Sequence, residues 1–208
     1  MREASCTIGP MAVPGRVEAA SILLGLDPPG WFVRHSAGVA EVASFLAARA
    51  AARGQRLDPR LAETAGLLHD VDKLLPAGEP ARRLAHGLGS AAWLREGGYA
   101  ELAPAAAWHP VTRLLHGPAD DLADAGLEAM IVAYADKRVD QRVVPMARRF
   151  DGWRRRYPGA WGGITGRRAY DRAARLERVV CEAAGIAPPA VRRRRWVGDA
   201  IAAARRTR

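Results

Sequence analysis

The chain has 208 residues, enough to bury one substantial core without a disulfide or metal staple. Its two cysteines, Cys6 and Cys181, lie near opposite ends, which argues against a disulfide scaffold or a cysteine metal cluster and for a reducing compartment. The net charge of +10 rests almost wholly on arginine, with only two lysines among 32 basic residues. Much of it lies in Arg148-Arg149, Arg154-Arg155-Arg156, Arg167-Arg168 and Arg192-Arg193-Arg194-Arg195, which read as solvated helix faces and leave nucleic acid a weakly supported partner. No eighteen apolar residues run uninterrupted and no cationic segment leads into an apolar one at the N-terminus, so a cytoplasmic protein without a membrane span is expected.

In chain order the periodicity is helical throughout. A short helix over Arg16–Leu24 ends at Asp27-Pro28-Pro29-Gly30. Val39, Val42, Ala43, Leu46 and Ala50 mark one face of a long helix beginning near His35 and ending at Gly54. Asp58 is placed to cap a third helix, with Pro59 at its first position. Residues 76–80 read as loop, Leu88–Glu96 as a helix stopped by Gly97-Gly98, and Glu101–His109 as another stopped by Pro110. After a polar loop at Gly117-Pro118-Ala119-Asp120, the apolar stretch Leu127–Tyr134 carries Asp136 toward the buried end of a helix. Gly159–Gly166 reads as a glycine-rich break. Tyr170, Ala173, Leu176, Val180 and Ala184 then follow with helical spacing, and a last helix runs from about Pro189. No strand pattern or internal repeat is visible, and Gly162-Gly163 lacks the preceding strand and the lysine of a phosphate loop.

The chemistry concentrates in His69-Asp70, which closes the apolar helical run Leu61–Leu68. Neighbouring residues on a helix point about 100° apart, so both reach one ion only where the helix ends or where the ion sits in a notch between helices. His35 upstream and Asp136 downstream complete two imidazoles and two carboxylates drawn from three helices, a set that suits a metal inside a helical bundle. Both lysines neighbour these residues: Lys73 follows the pair and Lys137 follows Asp136. A compact ammonium can act as a point charge on a phosphate or as a proton donor. Lys73 is expected to do so, whereas Lys137 has the alternative of a salt bridge on the helix surface.

The order His, His-Asp, distant Asp, running from about Arg34 to Arg142, resembles the HD superfamily of metal-dependent phosphohydrolases. His69-Asp70-Val71-Asp72-Lys73 looks like the variant with a lysine three residues after the pair. The resemblance implies an all-α HD-domain helical bundle with extra C-terminal helices: an N-terminal helix and linker over 1–30, the metal-binding domain over 31–158 and an arginine-rich helical extension over 159–208. In two-metal members a histidine at the start of one helix and another at the end of the next hold the second ion. His86 and His109 correspond, which makes Asp70 the bridging carboxylate. Many such members carry a further histidine where Pro110 stands, so the second ion would have fewer protein ligands here. The subgroup that hydrolyses symmetrical dinucleoside tetraphosphates also has one histidine there and an arginine four residues on, a place matched by Arg113. His116 has no counterpart and reads as a loop residue.

The expected metal ligands are therefore His35, His69, Asp70, His86, His109 and Asp136, holding one or two ions of iron, manganese, cobalt or zinc; magnesium prefers all-oxygen shells. A metal-activated water would cleave a phosphate ester or anhydride of a small phosphorylated substrate such as a nucleotide. Asp70, Lys73 and Arg113 carry the expected catalytic roles, the two cations neutralising charge on the phosphate. Asp72 is expected to accept a hydrogen bond rather than bind an ion. Two alternatives share the ligand types: a mixed-valent di-iron oxygenase, and a binding module with a degenerate site.

Overall fold

A computed structural model of the chain describes residues 13–116 and 126–207; Cys6 and the loop expected at Gly117-Pro118-Ala119-Asp120 lie outside them. The architecture is all-α, as the sequence implies. The helices are α1 (Arg16–Gly25), α2 (Gly30–Ala52), α3 (Pro59–Leu68), α4 (Leu88–Glu96), α5 (Ala103–Trp108), α6 (Arg113–His116) and α7 (Gly126–Arg138). There follow α8 (Met146–Arg156), α9 (Pro158–Trp161), α10 (Gly163–Ala184) and α11 (Val197–Arg206). Single 3-10 turns over Val71–Lys73, Pro80–Arg83, Ala100–Leu102 and Pro188–Ala190 link them. Among the described residues no strand forms, only an isolated bridge between Val139 and Val143.

The centre of the molecule is α2. Its alanine-rich sequence gives a long, slender helix that buries Phe32, Val39, Val42 and Leu46 completely. It packs against α3, α7, α10 and α11, and its contact with α3 is the most extensive between any two elements. Two glycines set how close these helices come. A Cβ on Gly66 would stand 3.0 Å from the Ala40 Cα, and one on Gly38 would stand 2.6 Å from a Val139 methyl. The absent side chains let the end of α3 and the end of α7 both press onto α2, and those two ends carry His69-Asp70 and Asp136.

Several boundaries differ from the sequence reading, for local reasons. α2 starts at Gly30 rather than near His35, because Pro29 in extended conformation caps it and Phe32 is already buried. Asp58 caps α3 as expected, its side chain accepting from the Arg60 N–H. The helix expected over Glu101–His109 divides into a 3-10 turn and α5, with Pro104 in the first turn of the latter. His116 closes α6 rather than lying in a loop. The glycine-rich break shrinks to Gly162: Pro158 opens the one-turn α9, and α10 has begun by Gly163. The last helix starts at Val197, not at Pro189.

That late start has a buried cause. Glu41 on α2 is 3 % exposed and accepts the N–H groups of Trp196 and Val197 at 3.2 Å each, together with the Arg193 guanidinium at 2.7 Å. The carboxylate thus satisfies the free N–H groups opening α11 and complements its dipole. Trp196, Val197, Ala200 and Ala204 join one hydrophobic core with Leu176, Val180 and Ala184 of α10 and the residues of α1–α8. The helices Gly163–Ala184 and Val197–Arg206 of this C-terminal part contribute their buried faces to the same core as the preceding helices.

Candidate metal centre

Each histidine of the site is held by its Nδ1. His69 at the end of α3 and His109 at the end of α5 use the same device, donating to carbonyls three residues back that the ending helix leaves free: Gly66 O at 2.9 Å and Ala106 O at 2.6 Å. His35 on α2 donates to Asp140 O at 3.1 Å, just beyond α7. His86, before α4, donates to Asp72 Oδ2 at 3.0 Å. Carbonyl and carboxylate oxygens only accept, so these bonds keep a proton on Nδ1 and turn the Nε2 lone pair inward on each neutral ring.

The four Nε2 atoms converge on two carboxylates. His35 Nε2 lies 3.3 Å from Asp136 Oδ1 and 3.8 Å from Asp70 Oδ2. His69 Nε2 lies 3.5 Å from Asp70 Oδ2 and 3.9 Å from Asp136 Oδ1. The other Asp70 oxygen, Oδ1, faces His109 Nε2 at 3.1 Å and His86 Nε2 at 3.3 Å, and those two nitrogens are 3.1 Å apart. Lone pairs meeting at such distances repel, unless a cation lies among them. Ligand bonds of about 2.0–2.2 Å place neighbouring ligand atoms roughly 3–3.5 Å apart, which matches all of these spacings except those of 3.8 and 3.9 Å. His69 Nε2 and Asp70 Oδ1 are moreover buried without a hydrogen-bond partner, a state that native proteins avoid. The residues fit a divalent metal. His35, His69 and Asp70 form one candidate group, which Asp136 adjoins, and Asp70, His86 and His109 form another. Asp70 belongs to both.

Burial and charge set the protonation of the cluster. Burial opposes ionisation of Asp70, yet the charges around it, the Lys73 ammonium among them, hold it well below the usual carboxylate range. Asp136 behaves likewise: burial works against its charge, and Lys137 and His35 outweigh it. Complete burial pushes His69 down to about 3 and lowers His109 too, so both stay neutral and able to bind metal at ordinary pH. His35 is raised, because Asp136 and Asp70 together overcome its burial.

Around the ligands, Lys73 reaches Asp70 Oδ2 at 2.6 Å from the open side, its side chain 43 % exposed. Lys137 makes no surface salt bridge. It is fully buried and donates to the His109 carbonyl and to Asp136 Oδ2, bracing one residue of each group. Asp72 accepts from His86 Nδ1 and from the Gly87 N–H at 2.9 Å. Arg113 sits on the exposed start of α6 with its guanidinium 5.0 Å from the Trp108 ring, and the structure brings it to none of the ligands. The arginines of α8, expected to be remote, are not: an Arg149 guanidinium nitrogen lies 4.0 Å from Asp136 Oδ1 and another lies 3.1 Å from Asp140 Oδ1. Nothing in the sequence distinguishes Arg149 from its neighbours, since its approach depends on how α8 turns back after Val144. Cys181 is a free, buried thiol against the Tyr134 hydroxyl, and burial raises its pKa.

Four histidines and two aspartates, delivered to one cluster by α2, α3, α5, α7 and the turn before α4, define a helical protein built to hold divalent metal. A family model described as HD domain matches residues 32–139, just over half the chain, and the chain belongs to the HD domain family. That match spans His35 to Asp136 and stops before α8. No curated protein and no solved structure matches the chain. The dinucleoside tetraphosphatase subgroup gains no support from these comparisons.

Proposed function

We propose that the chain is a metal-dependent phosphohydrolase that cleaves a phosphate ester or anhydride of a nucleotide or similar small substrate in the cytoplasm. The observation that carries this reading is Asp70, whose two oxygens each face a separate pair of imidazole Nε2 atoms. The ligands would be His35, His69, Asp70 and Asp136 for one ion and Asp70, His86 and His109 for a second, drawn from iron, manganese, cobalt or zinc. When bound, such ions supply an activated water and neutralise the phosphoryl oxygens.

The chain's own residues do the rest. The Nδ1 bonds fix each imidazole before any ligand arrives, so little reorganisation is needed. Lys73, partly exposed, offers an ammonium to a phosphate entering from the open side. Arg149 holds a guanidinium beside Asp136, where it can neutralise charge that develops on the phosphate or its leaving group. A cationic rim suits an anionic substrate and does nothing for the oxygenase alternative. The complete ligand set speaks against a degenerate site. No helix among the described residues is long and apolar enough to cross a membrane.

The test is phosphate release from a panel of nucleotides and simple phosphate esters in iron, manganese, cobalt and zinc. Turnover that is lost on chelation and restored by one of these ions is expected. Oxygen consumption with an organic substrate and no phosphate release would overturn the reading.

A further inference from the structure

Beside the metal ligands opens a cleft of about 620 Å³, within the size range of small-molecule pockets. Lys73, which reaches Asp70, and Asp140, whose carbonyl accepts from His35, line it next to the cluster, and one face of α8 forms its floor. That face presents Arg148, Arg149, Gly152, Arg155 and Arg156, whose spacing of three and four residues places them on one side of the helix. Five of the lining side chains are cationic and only Asp140 is anionic. Arg149 is engaged with Asp140, whereas Arg148 and Arg155 have no ion-pair partner among the described residues.

Two features of α8 weaken it as a helix. Like charges crowd one face, and a glycine sits in its middle. Gly152 relieves no clash, because nothing lies within 4 Å of where its Cβ would project. The glycine instead keeps the floor open between the two arginine pairs. A helix that gives up stability to keep a charged face clear is shaped for a ligand.

We propose that this face of α8, with Lys73, is a second anion site that grips the non-reacting phosphates of a polyphosphorylated substrate while the reacting phosphate lies at the metal centre. The identity of the reacting phosphate rests on the phosphohydrolase reading; the anion site does not. From Arg148 to Arg155 the helix rises about 10 Å, the reach of a short phosphate chain. Guanidinium forks match phosphate oxygens in pairs. Trp31, 52 % exposed, and Tyr157, 48 % exposed, also line the cleft and offer aromatic faces on which a base carried by the chain stacks. A cleft of this volume on three turns of one helix favours such a small ligand over a nucleic acid strand.

The experiment is calorimetric titration of the protein as purified, with bound metal measured before and after. The probes are orthophosphate, inorganic tripolyphosphate, a nucleoside triphosphate and a single-stranded oligonucleotide. Tripolyphosphate is expected to bind at least about tenfold more tightly than orthophosphate. Arg148→Ala with Arg155→Ala should weaken it about tenfold at unchanged metal content. Gly152→Leu, which keeps every charge but fills the floor, should do the same. Trp31→Ala that weakens the nucleoside triphosphate alone assigns the chain to a nucleotide, and no effect on either ligand assigns it to an inorganic chain. Tripolyphosphate binding unchanged in both cleft variants overturns the proposal. So does an equal loss in the distant Arg205→Ala/Arg206→Ala variant, or tighter binding of the oligonucleotide. Tight tripolyphosphate binding without hydrolysis of any phosphate would leave the anion site standing and remove the phosphohydrolase reading instead.

Discussion

A proton held on Nδ1 decides what each histidine of the cluster can do, and the consequence at residue scale is a divided site. The Nε2 atoms of His86 and His109 face one Asp70 oxygen, Oδ1, and the other pair faces Oδ2, so replacing His86 or His109 with alanine should lower the metal content from about two ions per chain to about one. Elemental analysis of the purified variants checks this, and unchanged stoichiometry would return both histidines to structural roles. The buried, neutral His69 gives a second expectation, for the chelator-treated protein. Its pKa is about 3 when folded and about 6.5 when unfolded, so between those values the unfolded chain binds a proton that the folded chain does not. Stability contributed by the neutral ring is therefore present above about pH 6.5 and is lost as the pH falls toward 3, while the raised pKa of His35 acts in the opposite sense. The urea midpoint should fall between pH 6.5 and 4.5, and less steeply in His69→Gln; a steeper fall in that variant would contradict the assignment. His35, His69, Asp70 and Asp136 were legible in the sequence because their order and spacing carry them. Lys137 as a buried brace and Arg149 as a neighbour of Asp136 were not, since both depend on packing by elements far along the chain.

At the scale of elements, the centre depends on how closely α3 approaches α2. Gly66→Val would force methyl groups against the Ala40 backbone, which lies 3.0 Å from the position of a Cβ. The helices must separate, at a cost of about 1–3 kcal/mol. His69 and Asp70, at the end of the displaced helix, then lose register with His35. A lower urea midpoint together with reduced metal content is expected, and full metal content at wild-type stability would show that the crossing is looser than the structure has it. Boundaries set by local chemistry were legible: Asp58-Pro59 opens α3, and Gly97 ends α4. The starts of α2 and α10 were misplaced because glycine reads as a break in a sequence, yet a helix tolerates it at its first turn. Whether it starts there depends on which side chains find a core to enter. That of α11 was misplaced because Pro189 reads as a helix start, whereas Glu41 holds the first free N–H groups at Trp196 and Val197.

For the whole molecule, the lesson lies in the C-terminal residues. They lie outside the segment that resembles the family, but Val197, Ala200 and Ala204 form a narrow apolar stripe that small side chains make easy to overlook. α11 lies on α1 and α2, and Glu41, six residues after His35, holds its start. Deleting residues 191–208 should therefore destabilise the protein by several kcal/mol, since burial of Trp196 or Val197 alone contributes about 1.5–3 kcal/mol. Thermal unfolding measures it. A truncated protein with an unchanged melting temperature would mean that α11 is dispensable.

The central claim, that Asp70 joins two metal-binding groups into one centre, is tested most directly by counting ions. The measurement is elemental analysis of wild type and Asp70→Ala, both checked for native helical content by circular dichroism. The account predicts about two divalent transition-metal ions per wild-type chain and fewer than about one in the variant, because the only carboxylate common to both groups is gone. Equal metal content in the two proteins, or a wild-type protein that binds none of iron, manganese, cobalt or zinc, would contradict it.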